Sequence, residues 1–173
     1  MKTGLITFHF AHHYGAQLQA YATMRAIQGL GHDCELIDFR LPHTTRTNEL
    51  VKRSASVRAL ASDAHTALHY GAFKARYDRF NAFVEEQMDL SPRRYTSFQE
   101  LKNDPPAYDV YVAGSDQIWN PFIYADKQFE PAFLLDFVRE GRKIAYGPSL
   151  GTPTLPAPYD KQFRDYLAGF DAL

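Results

Sequence analysis

Cysteine is nearly missing from this 173-residue chain, where Cys34 is the only one. No internal disulfide can form, which excludes a disulfide-stapled scaffold and leaves the fold to its apolar core. An excess of either charge is missing too: 19 Lys and Arg stand against 20 Asp and Glu, for a formal net charge of −1. That balance gives no electrostatic reason to expect nucleic acid or an anionic membrane as the main partner. No apolar run is long enough to span a bilayer. The stretch from Met1 to Phe10, interrupted by His9, is too short and too broken for a signal peptide. The expected compartment is the cytoplasm. There is no internal repeat and no low-complexity linker.

What is present suffices for one core. The composition is 45% hydrophobic and 14% aromatic, which argues against disorder. The length suits one ordinary domain and is short for two. Cys34 lies in an apolar stretch, where a buried, reduced thiol is expected.

Thr3 to Phe10 is rich in β-formers and predicts a buried strand. A polar stretch with a glycine follows, Ala11 to Gly15, and then Ala16, Ala20, Met24 and Ile27 recur at helical spacing until Gly29 and Gly31. Cys34 to Phe39 predicts a second strand, completing a βαβ unit of a parallel sheet. The middle of the chain reads as helical. One stripe runs from Leu50 to Leu68 and another from Phe73 to Met88, with Gly71 as the expected break. Ser97 to Glu100 has capping-box spacing, and Pro105-Pro106 should end the short helix it starts. Tyr108 to Ala113 predicts a third strand and Arg142 to Gly147 a fourth. A proline-rich connection leads to a last helix, from about Tyr159 toward Leu173. The expectation is one doubly wound, mostly parallel, Rossmann-like α/β domain over residues 1–173, with a helical insertion at about 44–90.

Ligands of open parallel sheets bind beyond the carboxyl ends of the strands, and three polar clusters fall there. The first holds His9 and then His12, His13, Tyr14, Gly15, Ala16 and Gln17. Backbone N–H groups at a helix start favour anions, Gly15 allows close approach, and imidazoles move protons near neutral pH. The opposing reading is that these histidines cap a helix and stack on tyrosine. The second cluster, Gly114 to Pro121, sets a hydroxyl, a carboxylate, two amides and an indole close together. Sugars present paired hydroxyls to Asp, Asn and Gln, and their C–H faces stack on Trp. The alternative there is that Asp116 caps a helix and Trp119 belongs to the core. The third cluster, Ala145 to Gly151, includes Ser149 and otherwise reads as a tight turn. Metal binding is not expected, since adjacent His12 and His13 point apart and no group with ligand spacing accompanies them. His32, His43, His65 and His69 read as surface or boundary residues. Ser115 lacks the GxSxG elbow of a hydrolase.

Three blocks together carry a resemblance: ITFHFAHHYGAQLQAYATMRAIQGLGHDCELIDFR, YDVYVAGSDQIWNP and LLDFVREGRKIAYGPSLG. In order and spacing they resemble the polysaccharide pyruvyl transferase family, with GSDQIWNP the most specific piece. The resemblance covers nearly the whole chain except about Thr44 to Tyr70. Leu150 stands where the family has an aromatic residue, and Pro148 where it has a small one. The resemblance implies the N-terminal half of a GT-B-type transferase, with two Rossmann-like halves facing a cleft. It implies transfer of a pyruvyl group from phosphoenolpyruvate onto two hydroxyls of a saccharide acceptor, giving a cyclic ketal and phosphate. No cofactor or metal is implied.

Under that resemblance this chain is the acceptor-side half. Asp116 and His13 are the catalytic candidates, and His12, Tyr14, Gly15, Gln17, Ser115, Gln117, Trp119, Asn120 and Ser149 are the binding ones. The family continues into a second domain that mainly grips the donor, so these residues alone are not expected to complete an active site. A domain face left bare in that way would favour a homo-oligomer. The rival readings are a non-catalytic glycan-binding remnant and a transferase of this fold that uses another donor.

Overall fold

The computed structural model describes residues 1–42 and 69–173. Five parallel strands form one sheet: β1 (Lys2–Ile6), β2 (Asp33–Phe39), β3 (Leu90–Tyr95), β4 (Val110–Ala113) and β5 (Arg142–Ala145), in the order β3-β2-β1-β4-β5. Helix α1 (Tyr14–Gly29) joins β1 to β2, and α2 (Tyr70–Gln87) precedes β3. Helix α3 (Phe98–Asn103) precedes β4, and α4 (Tyr159–Leu167) follows β5. This is the expected Rossmann-like architecture, and the sheet is parallel throughout.

Alternation along the strands builds two cores. Leu5, Leu36, Val110 and Val112 face α1 and α2, where Ala20, Met24, Val84 and Met88 close over them. Their neighbours Ile6, Ile37, Phe39, Tyr111 and Ala113 face the opposite layer, with Leu101, Phe133, Leu135 and Phe137. A period of two delivers consecutive residues to opposite faces. Each fully buried Leu, Ile or Phe contributes roughly 1.5–3 kcal/mol, so both layers are needed to hold the sheet.

Several boundaries differ from expectation. The first strand ends at Ile6; Thr7 to Phe10 are buried but irregular, because their polar groups bond to neighbouring loops. Strand β3 was not expected at all. Its sequence, LSPRRY, carries a proline and two arginines, but it is an edge strand, where a residue without an N–H costs no ladder bond and charges face water. The expected break at Gly71 falls slightly earlier: α2 begins at Tyr70, with His69 at its N-cap position, and runs through Gly71. The stripe from Leu50 to Leu68 and residues His43 and His65 lie outside the described residues. Helix α4 stops at Leu167, and the chain then returns to the sheet, where Ala172 bridges Ile144.

The capping box forms with a shift. Ser97 Oγ accepts from Glu100 N at 3.3 Å, while Glu100 reaches back to Thr96 N at 2.7 Å, one residue beyond the usual partner. Between β4 and β5 two short 3-10 helices, Pro121–Ile123 and Pro131–Leu134, replace a full crossover helix. Each opens on a proline, which cannot extend a regular ladder.

Candidate functional site

The chain leaves β1 in one direction to lay down β2 and β3, then returns to place β4 and β5 on the other side. The order therefore reverses between β1 and β4, and a crevice opens there at the carboxyl ends of the strands. A cavity of about 520 Å³ occupies it, lined by Phe8, Ala11, His13, Gly15, Ala16, Gln19, Ser115, Asp116 and Gln117. The first and second polar clusters of the sequence thus meet in one cleft.

The second loop is shaped for this position. Gly114 has φ +125, and a Cβ there would stand 2.1 Å from the Tyr146 carbonyl oxygen, so no side chain fits. The Gly114–Ser115 peptide is cis, and Asp116 holds φ +89, a conformation that side-chain-bearing residues rarely adopt. A residue with a side chain held at a positive φ, as Asp116 is, persists only where its surroundings over-determine it. Here the surroundings are the third cluster. Ser149 N donates to Asp116 O at 2.8 Å, and Trp119 N donates to Ser149 O at 3.3 Å. Tyr146 N donates to Ala113 O at 2.9 Å. Ser149 acts through its backbone, since its hydroxyl accepts from Gly151 N in its own turn at 2.9 Å.

Asp116 Oδ1 accepts from Gln117 N at 2.7 Å, and Oδ2 accepts no hydrogen bond from the described residues. A half-exposed carboxylate with one committed and one uncommitted oxygen can take a hydroxyl proton or orient a hydroxyl. His13 is the N-cap of α1: its Nδ1 accepts from Ala16 N at 3.3 Å. In the neutral ring the proton then resides on Nε2, which leaves an exposed donor at the cleft. Gly15 permits this cap, because a Cβ there would press the His13 ring at 3.2 Å.

Several of the predicted residues go elsewhere. His9 is fully buried, with Nε2 3.1 Å from Asp38 Oδ1 and Nδ1 3.2 Å from the Thr7 carbonyl oxygen. Asp38 also accepts from Arg40 Nε at 2.5 Å and Arg94 Nε at 2.9 Å. Burial pushes the Asp38 carboxyl up, but the bonds from His9, Arg40 and Arg94 more than offset this and hold it well below the usual carboxylate range. The network ties the loop after β1 to β2 and β3. His12 turns to α2, stacking on Phe80 at 5.2 Å and meeting Asn81 Oδ1 at 3.1 Å. Burial lowers its pKa, against the raising effect of Asn81. Tyr14 leans on Phe80 as well, and buried Gln17 donates to Phe80 O at 3.3 Å.

Trp119 lies in the core, 7% exposed. Its Nε1 donates to Phe133 O at 2.9 Å, and its ring meets Phe163 and Phe170 edge-on. Asn120 is buried as the cap of a 3-10 helix, accepting from Phe122 N at 3.0 Å, and its amide donates to Gln117 Oε1 at 3.3 Å. Gln117 is exposed at the cleft.

Sequence reasoning missed Thr7 and Gln19, which bind the two loops together. Thr7 falls inside the expected first strand, and Gln19 lies beyond the loop motif, inside a helix. It also missed Glu130, whose carboxyl burial pushes up to about 7, with Asp126 adding to the shift and the bond from Ala132 N opposing it. Among the described residues no group of three or more His, Cys, Asp or Glu is placed to hold a metal, and no helix is long and apolar enough to cross a membrane.

A model of the family described as polysaccharide pyruvyl transferase matches residues 13–173. Comparison with curated proteins and with solved structures finds no match. The matched span takes in all of the cleft lining from His13 onward, including the whole second loop, and on that match the chain belongs to the polysaccharide pyruvyl transferase family.

Proposed function

We propose that this chain forms the acceptor side of a pyruvyl transferase, with the cleft between β1 and β4 holding a saccharide diol. Two hydroxyls of the sugar add to the enol carbon of phosphoenolpyruvate. One hydroxyl proton goes to the methylene carbon, which becomes the methyl group of the ketal, and the other leaves with phosphate. Asp116 Oδ2 accepts the proton of an attacking hydroxyl, and His13 Nε2–H and Gln117 hold the sugar oxygens. The phosphoenolpyruvate is gripped chiefly by a second domain facing this one, and the protein works in the cytoplasm.

The observation that carries this reading is the Asp116 carboxylate. It is held at a positive φ, with one oxygen uncommitted, in a cleft whose other polar groups are donors and amides of the kind that bind hydroxyls. The test is phosphate release from phosphoenolpyruvate by the natural full-length protein in the presence of a panel of hexose glycosides. Release that requires both a glycoside and Asp116 supports the reading. A nucleotide sugar as the only working donor, or glycoside binding with no turnover, overturns it.

A further inference from the structure

Gln19 sits one turn into α1 and points its carboxamide into the seam between the two loops. Its Oε1 accepts from Ser115 N at 3.2 Å and from Ser115 Oγ at 2.9 Å. Its Nε2 donates to Thr7 Oγ1 at 2.9 Å, and that hydroxyl in turn donates to the Ser115 carbonyl oxygen at 2.8 Å. The bonds close a ring through α1, the end of β1 and the end of β4. Every direction in it is determined. A backbone N–H only donates, so Oε1 must face Ser115, and Nε2 must then face Thr7. Thr7 has spent its proton on Ser115 O and can only accept from Gln19. A glutamine fits this ring with both ends used. A carboxylate lacks the donor, a leucine lacks both ends, and an asparagine is one methylene short.

Ser115 is bonded to Gln19 by its N–H and its hydroxyl, and to Thr7 by its carbonyl. The residue that follows is Asp116, at φ +89. We propose that Gln19 is a positioning residue: by clamping the peptide groups around Ser115 against α1 and β1, it sets the direction in which the Asp116 carboxylate enters the cleft. This rests on the proposed role of Asp116, although the clamp itself is a statement about Ser115. A misplacement of about 1 Å in a reacting group costs on the order of 100-fold in rate, so a clamp on the residue preceding the carboxylate carries leverage without touching substrate.

Two variants separate this role from a merely structural one. Gln19→Leu keeps size and helical propensity but removes every bond of the clamp. Gln19→Glu keeps the acceptor for Ser115 but loses the donor to Thr7. Amide hydrogen exchange at Ser115, measured on the folded protein, should accelerate at least about tenfold in Gln19→Leu and less in Gln19→Glu. The Asp116 carboxyl carbon, followed by its chemical shift at one pH, should move in Gln19→Leu, where the clamp is lost and no charge is added. In the full-length enzyme Gln19→Leu should lower kcat about 30-fold while KM for the glycoside moves less than about threefold.

If Ser115 exchanges at the wild-type rate in Gln19→Leu, the clamp does not hold Ser115 and the proposal is wrong. It is equally overturned if Ser115 is freed but the Asp116 chemical shift and kcat are unchanged. If wild-type protein releases no phosphate at all, the pyruvyl-transfer reading fails by itself, and the exchange and chemical-shift data still decide the clamp.

Discussion

His12 and His13 are neighbours in the chain and belong to different parts of the molecule. His13 caps α1 and lines the cleft between β1 and β4, while His12 packs on Phe80 and Asn81 of α2. The same split runs along α1: Gln17 faces α2 and bonds to Phe80, whereas Gln19 faces the second loop and bonds to Ser115. Two helical residues apart means about 200° around the axis, so alternate polar residues near a helix start cannot serve one site. One side is built for packing, with aromatic rings and a buried amide. The other lines an open cleft, with an uncommitted Asp116 oxygen, an exposed His13 ring and a backbone at positive φ.

The largest expected effect breaks this comparison if it fails. Asp116→Asn should lower kcat/KM for phosphate release from phosphoenolpyruvate by about 100- to 1,000-fold in the full-length protein. Asn81→Ala, on the α2 side, should leave it within about twofold, as expected of a position that only packs. A loss smaller than fivefold in Asp116→Asn would remove that residue from the chemistry.

Next in size is a pair of glycines. Gly114→Ala forces a Cβ against the Tyr146 carbonyl oxygen at a positive φ, and should cost about 3 kcal/mol in urea unfolding. Gly71→Ala, in α2 with nothing within 4 Å of its Cβ, should stabilise by about 0.5 kcal/mol. Trp119, the only tryptophan and buried in the core, reports both transitions by fluorescence.

A smaller effect sharpens the contrast between the two histidines. His13→Ala removes the cap on α1 and should cost about 1 kcal/mol, with His13→Asn restoring most of it, since asparagine caps as well.

The smallest effect is a pH dependence carried by His12. Burial lowers its folded pKa beneath the ordinary histidine value, 6.5. Below that value the unfolded chain binds more protons than the folded one, so stability falls as pH drops through and beneath it. His12→Phe, which keeps the ring stack on Phe80, should flatten the fall in melting temperature between pH 7 and pH 5. An unchanged slope would show that His12 does not carry it.

Much of the fold was legible because it follows from local pattern. The near-continuous apolar stretches at β1, β2 and β4 report strands covered on both faces, and the helical spacing of Ala16, Ala20 and Met24 reports a single buried face. Strand β3 was illegible because Pro92, Arg93 and Arg94 deny it the look of a strand, and only its place at the sheet edge makes those residues acceptable. Trp119 shows the same limit at the site. An indole among amides has the composition of a sugar platform, yet α4, some forty residues later in the chain, covers it with Phe163.

By itself the sequence determined the parallel α/β class, the family and the Gly114–Pro121 loop as the centre of interest, since these depend on short-range spacing and on residue types. Only the tertiary structure decided which side chains face one another. His9 was drawn to Asp38 and His12 to α2 by groups 29 and 69 residues away in the chain. The join between Gln19 and Ser115 spans 96 residues. No local pattern encodes such a pairing, because it exists only once the sheet has set β1 beside β4 and brought their carboxyl ends within hydrogen-bonding reach.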